Sequence, residues 1–250
     1  MNEKFNHQDN QYLFPYHYIP SFGPKNTPLL HRVLDWGFEY LTYISFIQEK
    51  IKELGPRSIL DVGCGDGYLL NHLDINGCDK QGIDLSEKAI RFANAFSSNT
   101  KFEVKDIFDL KEQYEMISLI EVLEHIPDEI LENFVKKIND LTSQNGYFIV
   151  SVPTTNEPVH RKHFRHYDDT LLTQHIDNNT DFKMIEEHYI YSNSKILKKI
   201  RKLFHNKFYT LNAGPVKRLF WKFHKKYFYY SNKTQGSHLI RIYKKVSNDR

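Results

Sequence analysis

The amino-acid sequence predicts an α/β protein built on a doubly wound, mostly parallel sheet of seven strands with helices on both faces. Two observations carry this prediction. Between residues 58 and 152, short apolar runs typical of buried strands alternate with segments whose apolar residues recur at helical spacing. Two further strand-like runs follow at 182–191 and 237–243. Strands separated by helices generally pair in parallel, because each helix returns the chain to the same end of the sheet.

Each element of the central region has its own local signal. Residues 29–54 carry apolar residues at helical spacing, and Gly55-Pro56 ends that pattern, so we expect one or two helices there. The strands expected after it lie at 58–62, 82–85, 102–104, 116–120 and 146–152. The helices between them are expected at 68–73, 88–96 and 128–141. Ser86 is a suitable N-cap for the second of these helices, and an Asn-Gly turn is expected before the fifth strand.

The length and composition fit one domain. The chain has 250 residues, of which 40% are hydrophobic, and this is enough for a sizeable core. We expect a single domain, 1–250, made of an aromatic N-terminal arm with helices (1–55), a sheet core (56–191), a basic helical insertion (192–236) and a closing strand (237–245). The sequence has no run of about 18 apolar residues and no secretory signal pattern. We therefore expect a cytoplasmic protein, and its two cysteines fit a reducing compartment.

Charge is divided sharply along the chain. Residues 195–245 contain fifteen Lys or Arg and no Asp or Glu, whereas residues 1–194 contain 18 basic and 30 acidic residues, a net charge of −12. Apolar residues of the basic segment form two helical stripes, and Pro215 suits the first turn of the second helix. The stripes are Ile196, Leu197, Ile200, Leu203 and Phe204, followed by Val216, Leu219, Phe220, Phe223 and Tyr227. Three interpretations stay open: contact with an anionic membrane surface, contact with a nucleic acid, or an ordinary helical cap on the acidic body.

A glycine-rich turn joins the first strand to its helix. The run Asp61-Val-Gly-Cys-Gly-Asp-Gly67 places backbone N–H groups and a helix N-terminus where they can face a ligand. A dinucleotide-binding fingerprint would require Gly-x-Gly-x-x-Gly, but Tyr68 occupies its last glycine position. Asp84 and Asp106 end the next two strands, at the edge where open α/β sheets bind ligands. A carboxylate in the position of Asp84 can accept both hydroxyls of a ribose, although a single acid at a strand end is more often a helix cap.

In this combination the chain resembles the class I S-adenosylmethionine-dependent methyltransferases. The resemblance rests on Ile59-Leu-Asp-Val-Gly-Cys-Gly-Asp-Gly67, Gly82-Ile-Asp-Leu-Ser86, Asp106-Ile107 and Ile120-Glu-Val-Leu-Glu-His-Ile-Pro127. It implies a Rossmann-like methyltransferase sheet with S-adenosyl-L-methionine as cofactor. The implied contacts are Asp61, Gly63, Cys64, Gly65 and Gly67 to the methionine portion, Asp84 to the ribose, and Asp106 with Ile107 to the adenine. Leu85 and Glu121 complete the expected cofactor-binding set.

The expected catalytic residues follow the fourth and fifth strands, and they are Glu121, Glu124, His125, His163 and His166. In the favoured interpretation, His125 or a downstream histidine is a general base for a hydroxyl acceptor, and no metal is needed. The run Glu-Val-Leu-Glu-His is similar to that of bacterial small-molecule and lipid O-methyltransferases, in which it also shapes the loop. An alternative set, Glu121, Glu124, His125 and His166, would hold a divalent cation, as in the small-RNA 3′-terminal ribose methyltransferases that it resembles. Asp169-Thr170 stands where that RNA-enzyme pattern has another histidine, which weakens the RNA interpretation.

The resemblance implies methyl transfer, and the favoured reaction is O-methylation of a sugar, a lipid-linked glycan or a small hydroxylated metabolite in a bacterium. A sulfonium methyl group is already activated, so the enzyme chiefly aligns the acceptor and removes a proton. Two alternatives stay open: metal-dependent 2′-O-methylation of an RNA 3′-terminal ribose, and a non-catalytic protein that binds S-adenosylmethionine. The basic segment adds a prediction of peripheral contact with the inner face of an anionic membrane, and nucleic acid is the less favoured partner.

Overall fold

Seven strands form one mixed sheet at the centre of the structure. The computed structural model describes residues 21–22, 28–29, 37–97, 99–192, 194–204, 206, 209 and 213–246. The strands are β1 (Ser58–Val62), β2 (Asp79–Asp84), β3 (Lys101–Val104), β4 (Tyr114–Ile120), β5 (Thr142–Pro153), β6 (Phe182–Ser192) and β7 (Gly236–Lys245). Their order across the sheet is β3-β2-β1-β4-β5-β7-β6. The first five pair in parallel, and β7 runs antiparallel to both β5 and β6, which confirms the predicted fold class.

Helices cover both faces of this sheet. They are α1 (Gly37–Leu54), α2 (Tyr68–Asn71), α3 (Glu87–Ala95), α4 (Asp128–Leu141), α5 (Asp169–Ile176), α6 (Lys195–Phe204) and α7 (Gly214–Tyr227). Successive side chains of a strand point to opposite faces, so Leu60 and Ile117 belong to the apolar layer under α4 and α5. Ile59 and Met116 belong to the layer under α1, α2 and α3. Because both faces are covered, the central strands are apolar almost without interruption.

The strand order places a crevice at one edge of the sheet. From β1 the chain proceeds to β2 and β3 on one side, whereas β4 and β5 lie on the other side of β1. The carboxyl ends of these parallel strands meet at the same edge, on which ligands of open α/β sheets generally bind. The loops that follow β1, β2, β3, β4 and β5 therefore hold the residues that the sequence singles out.

The Asn-Gly turn expected before the fifth strand lies inside β5 instead. The strand begins at Thr142, and its register with β4 shifts between Tyr114 and Met116. Asn145 has a φ of +63°, and a Cβ added to Gly146 would lie 2.8 Å from the carbonyl oxygen of Glu115. Asn145 and Gly146 form an irregularity within β5 and do not end the strand, because β5 pairs with β4 both before and after them.

The N-terminal arm, which forms the beginning of the predicted region 1–55, lies outside the described residues as far as residue 36, apart from two short pieces. Ser21–Phe22 pairs in antiparallel fashion with Pro28–Leu29. The helix expected from residue 29 is described from Gly37 onward, as α1. The described portion of the chain contains no helix with the length and apolar character needed to cross a membrane.

The basic segment forms α6 and α7 in the connection between β6 and β7. Leu197 and Phe220 are buried against the α1 side of the sheet, and the ring of Phe220 meets that of Phe38 edge-on at 4.9 Å. Only part of each predicted apolar stripe is therefore buried against the rest of the protein. The exposed part consists of Ile196, Leu203, Val216, Leu219, Phe223 and Tyr227.

Candidate functional site

The glycine-rich turn after β1 follows a path that residues with side chains rarely adopt. Gly63, Gly65 and Gly67 have φ values of +72°, +55° and +75°. A Cβ on Gly63 would lie 2.5 Å from a methyl carbon of Val122, and one on Gly67 would lie 2.6 Å from the ring of Phe102. Two of these glycines therefore allow the turn to approach the loop after β4 and the strand β3 closely.

Asp84 connects this turn to the start of α3. The Gly65 N–H donates to its Oδ2 at 3.0 Å, and the Ser86 N–H donates to its Oδ1 at 2.8 Å. Ser86 in turn caps α3 by accepting from the Ala89 N–H, as the sequence predicts. The carboxylate is thus fixed at the crevice by backbone groups on both sides, and the neighbouring Leu85 is 56% exposed.

Asp61 lies beneath the turn, on the buried strand β1. The Ser118 hydroxyl of β4 donates to its Oδ1 at 2.7 Å. Burial raises the pKa of Asp61 to about 7, and the nearby charge of Asp84 acts in the same direction. Cys64 is also buried, which raises the pKa of its thiol, so this cysteine serves as an apolar packing residue.

Asp106 follows β3 and begins a single 3₁₀ turn, Ile107–Asp109. Its Oδ1 accepts a hydrogen bond from the Phe108 N–H at 3.0 Å. Ile107 is buried beneath it. Asp61, Asp84 and Asp106 thus lie at the carboxyl ends of three adjacent strands, and Asp106 also caps the turn that follows it.

Glu121 is the first residue after β4 and has a φ of +55°, which is uncommon for a residue with a side chain. Its N–H donates to the Ser151 carbonyl at 2.9 Å, and the Ser151 hydroxyl donates to its Oε1 at 2.6 Å. The same Oε1 lies 3.1 Å from Nδ1 of His238 on β7, and the charged ring of His238 holds the pKa of Glu121 below its usual range in spite of burial. Nε2 of His238 lies 3.1 Å from Oε1 of Glu39 on α1. No sequence pattern pointed to Glu39 and His238, which are 82 or more positions away from Glu121 in the chain.

Glu124 and His125 lie in a 3₁₀ turn just beyond Glu121. Burial and the charge of Glu121 raise the pKa of Glu124, and its Oε2 has no hydrogen-bond partner among the residues that the structure describes. Burial, together with the charge of Lys162, lowers the pKa of His125 to about 4. Nδ1 of His125 lies 3.2 Å from the Lys162 carbonyl, which can only accept, so Nδ1 carries the proton and Nε2 carries the lone pair. That Nε2 lies 3.7 Å from Oε1 of Glu124.

The histidine-rich segment after β5 continues this arrangement. Nδ1 of His166 lies 2.9 Å from the Glu157 carbonyl and must donate to it, which leaves Nε2 of His166 as an acceptor. Nδ1 of His163 lies 2.8 Å from that Nε2 and is therefore the donor of the pair. Nε2 of His163 consequently carries a lone pair, and its ring meets that of His125 edge-on at 4.7 Å.

Hydrogen bonds to backbone carbonyls hold the histidine-rich segment against the loop after β4. The Phe164 N–H donates to the Glu124 carbonyl at 2.8 Å, and Arg165 donates to the Ile126 carbonyl at 2.7 Å. Lys162, in the middle of the segment, is a further site residue to which the sequence assigned no role. It is half-buried near Glu124 and Glu121, and burial lowers its pKa against the effect of those two carboxylates.

Three of these side chains form a set with the geometry of a cation site. Glu124, His125 and His163 each offer one ligand atom, and the three atoms lie within 4.8 Å of one another. The two imidazoles present lone pairs, and hydrogen bonds on their other nitrogens fix the tautomers, as is typical of metal ligands. This set differs from the one that the RNA-enzyme resemblance implies, since Glu121 faces His238 and His166 faces His163.

Comparisons with known proteins show the family to which the chain belongs. A family described as a methyltransferase domain matches residues 38–189 of the chain. A ubiquinone biosynthesis O-methyltransferase of Bordetella avium is 31% identical over 121 residues, which are 45% of this chain and 49% of that protein. The chain spans about half the length of the curated relatives that it matches.

Two solved structures share the fold. Magnesium protoporphyrin IX methyltransferase from Synechocystis, with bound S-adenosylmethionine, aligns with a TM-score of 0.58 over 98% of each chain at 14% identity. The methyltransferase domain of bacterial CtHen1-C aligns with a TM-score of 0.58 over 83% of this chain and 99% of that one, at 13% identity. The family match covers more than half of the sequence, and the crevice has the glycines and acids that the resemblance requires. The chain therefore belongs to the methyltransferase domain family, in the class that uses S-adenosylmethionine as cofactor.

Proposed function

We propose that this protein transfers the methyl group of S-adenosylmethionine to a hydroxyl oxygen of a small acceptor. One observation carries the choice of an oxygen acceptor. His125 lies beside the crevice as a neutral ring whose Nδ1 donates to a backbone carbonyl, so the lone pair of its Nε2 can accept a proton. A neutral imidazole can take the proton that a hydroxyl loses as it is methylated. The O-methyltransferase names of the curated relatives support the same choice.

The cofactor roles follow the order of the strands. Asp84 would accept the ribose hydroxyls, with the exposed Leu85 beside it, and Asp106 with Ile107 would bind the adenine. The turn from Gly63 to Gly67, together with Asp61, would hold the methionine portion, with Cys64 packed underneath. Backbone N–H groups already fix Asp84, so its carboxylate needs little reorganisation when the cofactor binds.

The chemical step requires alignment and one proton transfer. Bound S-adenosylmethionine would supply an activated methyl group, which would pass to the acceptor oxygen as the carbon–sulfur bond breaks and S-adenosylhomocysteine forms. Nε2 of His125 would take the hydroxyl proton. The low pKa of His125 keeps the ring unprotonated at neutral pH, although it also limits its strength as a base. His163 and His166 hold one another in fixed tautomers, and His163 packs against His125, so we assign the pair the role of orienting it.

A turnover assay tests this function directly. The protein is incubated with S-adenosylmethionine and a panel of phenols, catechols, hydroxylated quinone precursors, free sugars and lipid-linked glycans, and methylated products are identified by mass spectrometry. Methyl ether formation on a small hydroxylated compound is the expected result. The relatives favour a small hydroxylated molecule, and glycan acceptors stay a prediction of the sequence. Methylation of nitrogen or carbon alone would contradict the proposal, and binding of S-adenosylmethionine without turnover on the panel would favour a non-catalytic binding protein.

A metal-assisted reaction is the second candidate, and it is favoured by Oε2 of Glu124, which lacks a hydrogen-bond partner in the described part of the chain. Glu124, His125 and His163 would hold the ion, which when bound would lower the pKa of an acceptor hydroxyl. In that case Nε2 of His125 is a ligand rather than a base. An RNA 3′-terminal ribose is the acceptor that the sequence resemblance links to such a site, and a short RNA belongs in the acceptor panel for that reason.

We further propose that the outer surface of α6 and α7 contacts an anionic membrane. Leu219 is 71% exposed, and it lies among other exposed apolar residues and the lysines and arginines of the segment. An apolar strip bordered by basic residues suits the interface of a bilayer that contains acidic lipid, where each cationic side chain contributes about 1 kcal/mol. This surface would bring a cytoplasmic enzyme to a lipid-linked or quinone-like acceptor.

Vesicle sedimentation tests the membrane proposal. The protein should sediment with vesicles that contain phosphatidylglycerol, less so in high salt, and not with phosphatidylcholine alone. Lys222→Glu on α7 should weaken this binding at least about 5-fold, whereas the same charge reversal at Lys136 of α4 should not. No sedimentation with anionic vesicles, or equal loss with both variants, would contradict the proposal, and retention on single-stranded RNA instead would favour nucleic acid.

A further inference from the structure

A buried histidine joins α1 to the loop that carries the proposed base. His238 lies near the start of β7, opposite Pro153 at the end of β5, and its side chain is only 7% exposed. Its Nδ1 lies 3.1 Å from Oε1 of Glu121, and its Nε2 lies 3.1 Å from Oε1 of Glu39 in the first turn of α1. Each ring nitrogen thus faces a carboxylate from a different part of the chain.

The geometry requires both ring nitrogens of His238 to donate. A carboxylate oxygen accepts hydrogen bonds, whereas a neutral imidazole has only one N–H to offer. Two carboxylates at hydrogen-bonding distance are therefore both satisfied only by the doubly protonated ring. Burial opposes that charge, but Glu121 and Glu39 outweigh burial and raise the pKa of His238 to about 10. The ring of Tyr43 covers the imidazole at 4.5 Å.

The position of Glu121 explains why this bridge matters. Glu121 has a φ of +55°, a conformation that residues with side chains keep only where the surroundings enforce it. Ser151 and His238 are the neighbours that hold its carboxylate. The 3₁₀ turn with Glu124 and His125 begins two residues later, so the direction in which the chain leaves Glu121 sets the position of the proposed base.

The other end of the bridge belongs to a helix that borders the crevice. The ring of Tyr40 on α1 meets that of Tyr68, the first residue after the glycine turn, at 5.3 Å. Elsewhere α1 packs on the sheet mainly through apolar side chains, among them Ile47 and Ile51. Apolar packing depends little on direction, whereas hydrogen bonds do depend on it. The two hydrogen bonds of His238 therefore fix the position of the end of α1 that lies next to the site.

We propose that His238, held between Glu39 and Glu121, is a positioning residue that fixes the loop after β4 to α1 and thereby places His125 for methyl transfer. This inference rests on the proposed function for the role of His125. The bridge itself is a property of the fold, so it can be measured without an acceptor. Glu39 is the second positioning residue of the bridge.

Hydrogen exchange of residues 119–126, combined with calorimetry of S-adenosylmethionine binding, tests the bridge. In His238→Gln a single amide nitrogen cannot serve both carboxylates, and we expect exchange in this segment to be roughly ten-fold faster. The matched control is His224→Gln, because His224 is another fully buried histidine that contacts α1, through Thr42, but it does not contact Glu121. The control should leave exchange at 119–126 unchanged. Equal acceleration in both variants would show a general loss of packing and overturn the proposal.

A pair of substitutions at Glu39 keeps the test valid if His238→Gln fails to fold. Glu39 is 24% exposed, so replacing it should leave the core intact. Glu39→Ala removes the acceptor for Nε2 and should accelerate exchange at 119–126. It should also weaken S-adenosylmethionine binding by roughly three-fold or more. Glu39→Gln keeps an acceptor oxygen and should restore both readouts to wild-type values. Identical behaviour of the Ala and Gln variants, or no change in either, would overturn the proposal. Failure of the wild-type protein to bind S-adenosylmethionine would instead refute the proposed function, while the exchange data would still decide the bridge.

Discussion

The two halves of the crevice are built differently. On the half proposed to bind the cofactor, backbone N–H groups fix two of the acids: those of Gly65 and Ser86 donate to Asp84, and that of Phe108 donates to Asp106. On the acceptor half, side chains hold one another across long stretches of chain, as in the bridge from Glu39 through His238 to Glu121. The first arrangement is a motif that family members with different acceptors can share. The second arrangement depends on the whole fold, and relatives of the same family can differ in these side chains and in the acceptor they use.

The largest expected effect concerns the cofactor half. Asp84→Ala should weaken S-adenosylmethionine binding about 1,000-fold, because two charge-assisted hydrogen bonds to the ribose are lost at about 2 kcal/mol each. The control is Asp79→Ala, at the exposed opposite end of the same strand, which should bind normally. Calorimetry measures both. Near-normal affinity of Asp84→Ala would remove the ribose assignment, and weak binding by Asp79→Ala would indicate that any change in β2 disturbs the site.

The next largest effect concerns turnover on the acceptor half and should leave binding on the cofactor half unchanged. His125→Ala should bind S-adenosylmethionine like the wild-type protein but turn over about 100-fold more slowly, since it loses a general base and little else. The matched control is His160→Ala, an exposed member of the same histidine-rich segment, which should keep turnover within about 3-fold. Single-turnover rates on an acceptor from the panel provide the measurement. Parallel loss of affinity and turnover in His125→Ala would show that the residue shapes the loop and is not a base.

A smaller effect distinguishes the two cation sets on the acceptor half. If the metal-assisted candidate holds, calorimetry with Mn²⁺ after chelator treatment should show binding through Glu124, His125 and His163, and His163→Ala should weaken it at least about 10-fold. His166→Ala removes only the partner of His163 and should have a smaller effect. The opposite ranking would support the set with Glu121 and His166. Absence of Mn²⁺ binding in the wild-type protein would leave His125 as a base with no metal.

The same contrast explains what the sequence revealed. The strands, the glycine turn and the three acids were predictable, because each has a signal within a few residues. The cap at Ser86 has such a signal, and the structure confirms it. His238 gave no comparable signal, since its partners become visible only when β7 inserts beside β5. The tautomers of His163 and His166 depend on the Glu157 carbonyl, whose position depends on the fold and not on a pattern of residue types.

The division of the basic stripes was not predictable for a related reason. Helical spacing shows which residues share a side of a helix, but it does not show how much of that side a neighbour covers. Phe220 packs on Phe38, whereas Leu219, one residue earlier, is 71% exposed. Only the position of α1 decides which of the two is buried.

The smallest expected effect concerns how α7 is attached to α1. The Thr42 hydroxyl donates to the Phe38 carbonyl, so Nε2 of His224 donates to the Thr42 oxygen at 2.7 Å, and Nδ1 is an acceptor without a partner in the described residues. Burial lowers the pKa of His224 to about 4. The unfolded chain therefore binds a proton at a higher pH than the folded chain does, and the free energy of unfolding falls as pH decreases from the ordinary histidine pKa towards 4.

Urea denaturation of the wild-type protein and His224→Gln at several pH values measures this effect. The glutamine amide can donate to Thr42 but does not titrate, so the variant should lose less stability on acidification, by at most about 3 kcal/mol. Burial also lowers the pKa of His125 and His175, so both proteins lose some stability in acid, and only the difference between them reports His224. His238 acts in the opposite direction, because its raised pKa stabilises the fold until the pH rises towards 10. Equal acid sensitivity of the two proteins would mean that folding does not lower the pKa of His224, and would remove its burial as a source of the acid sensitivity.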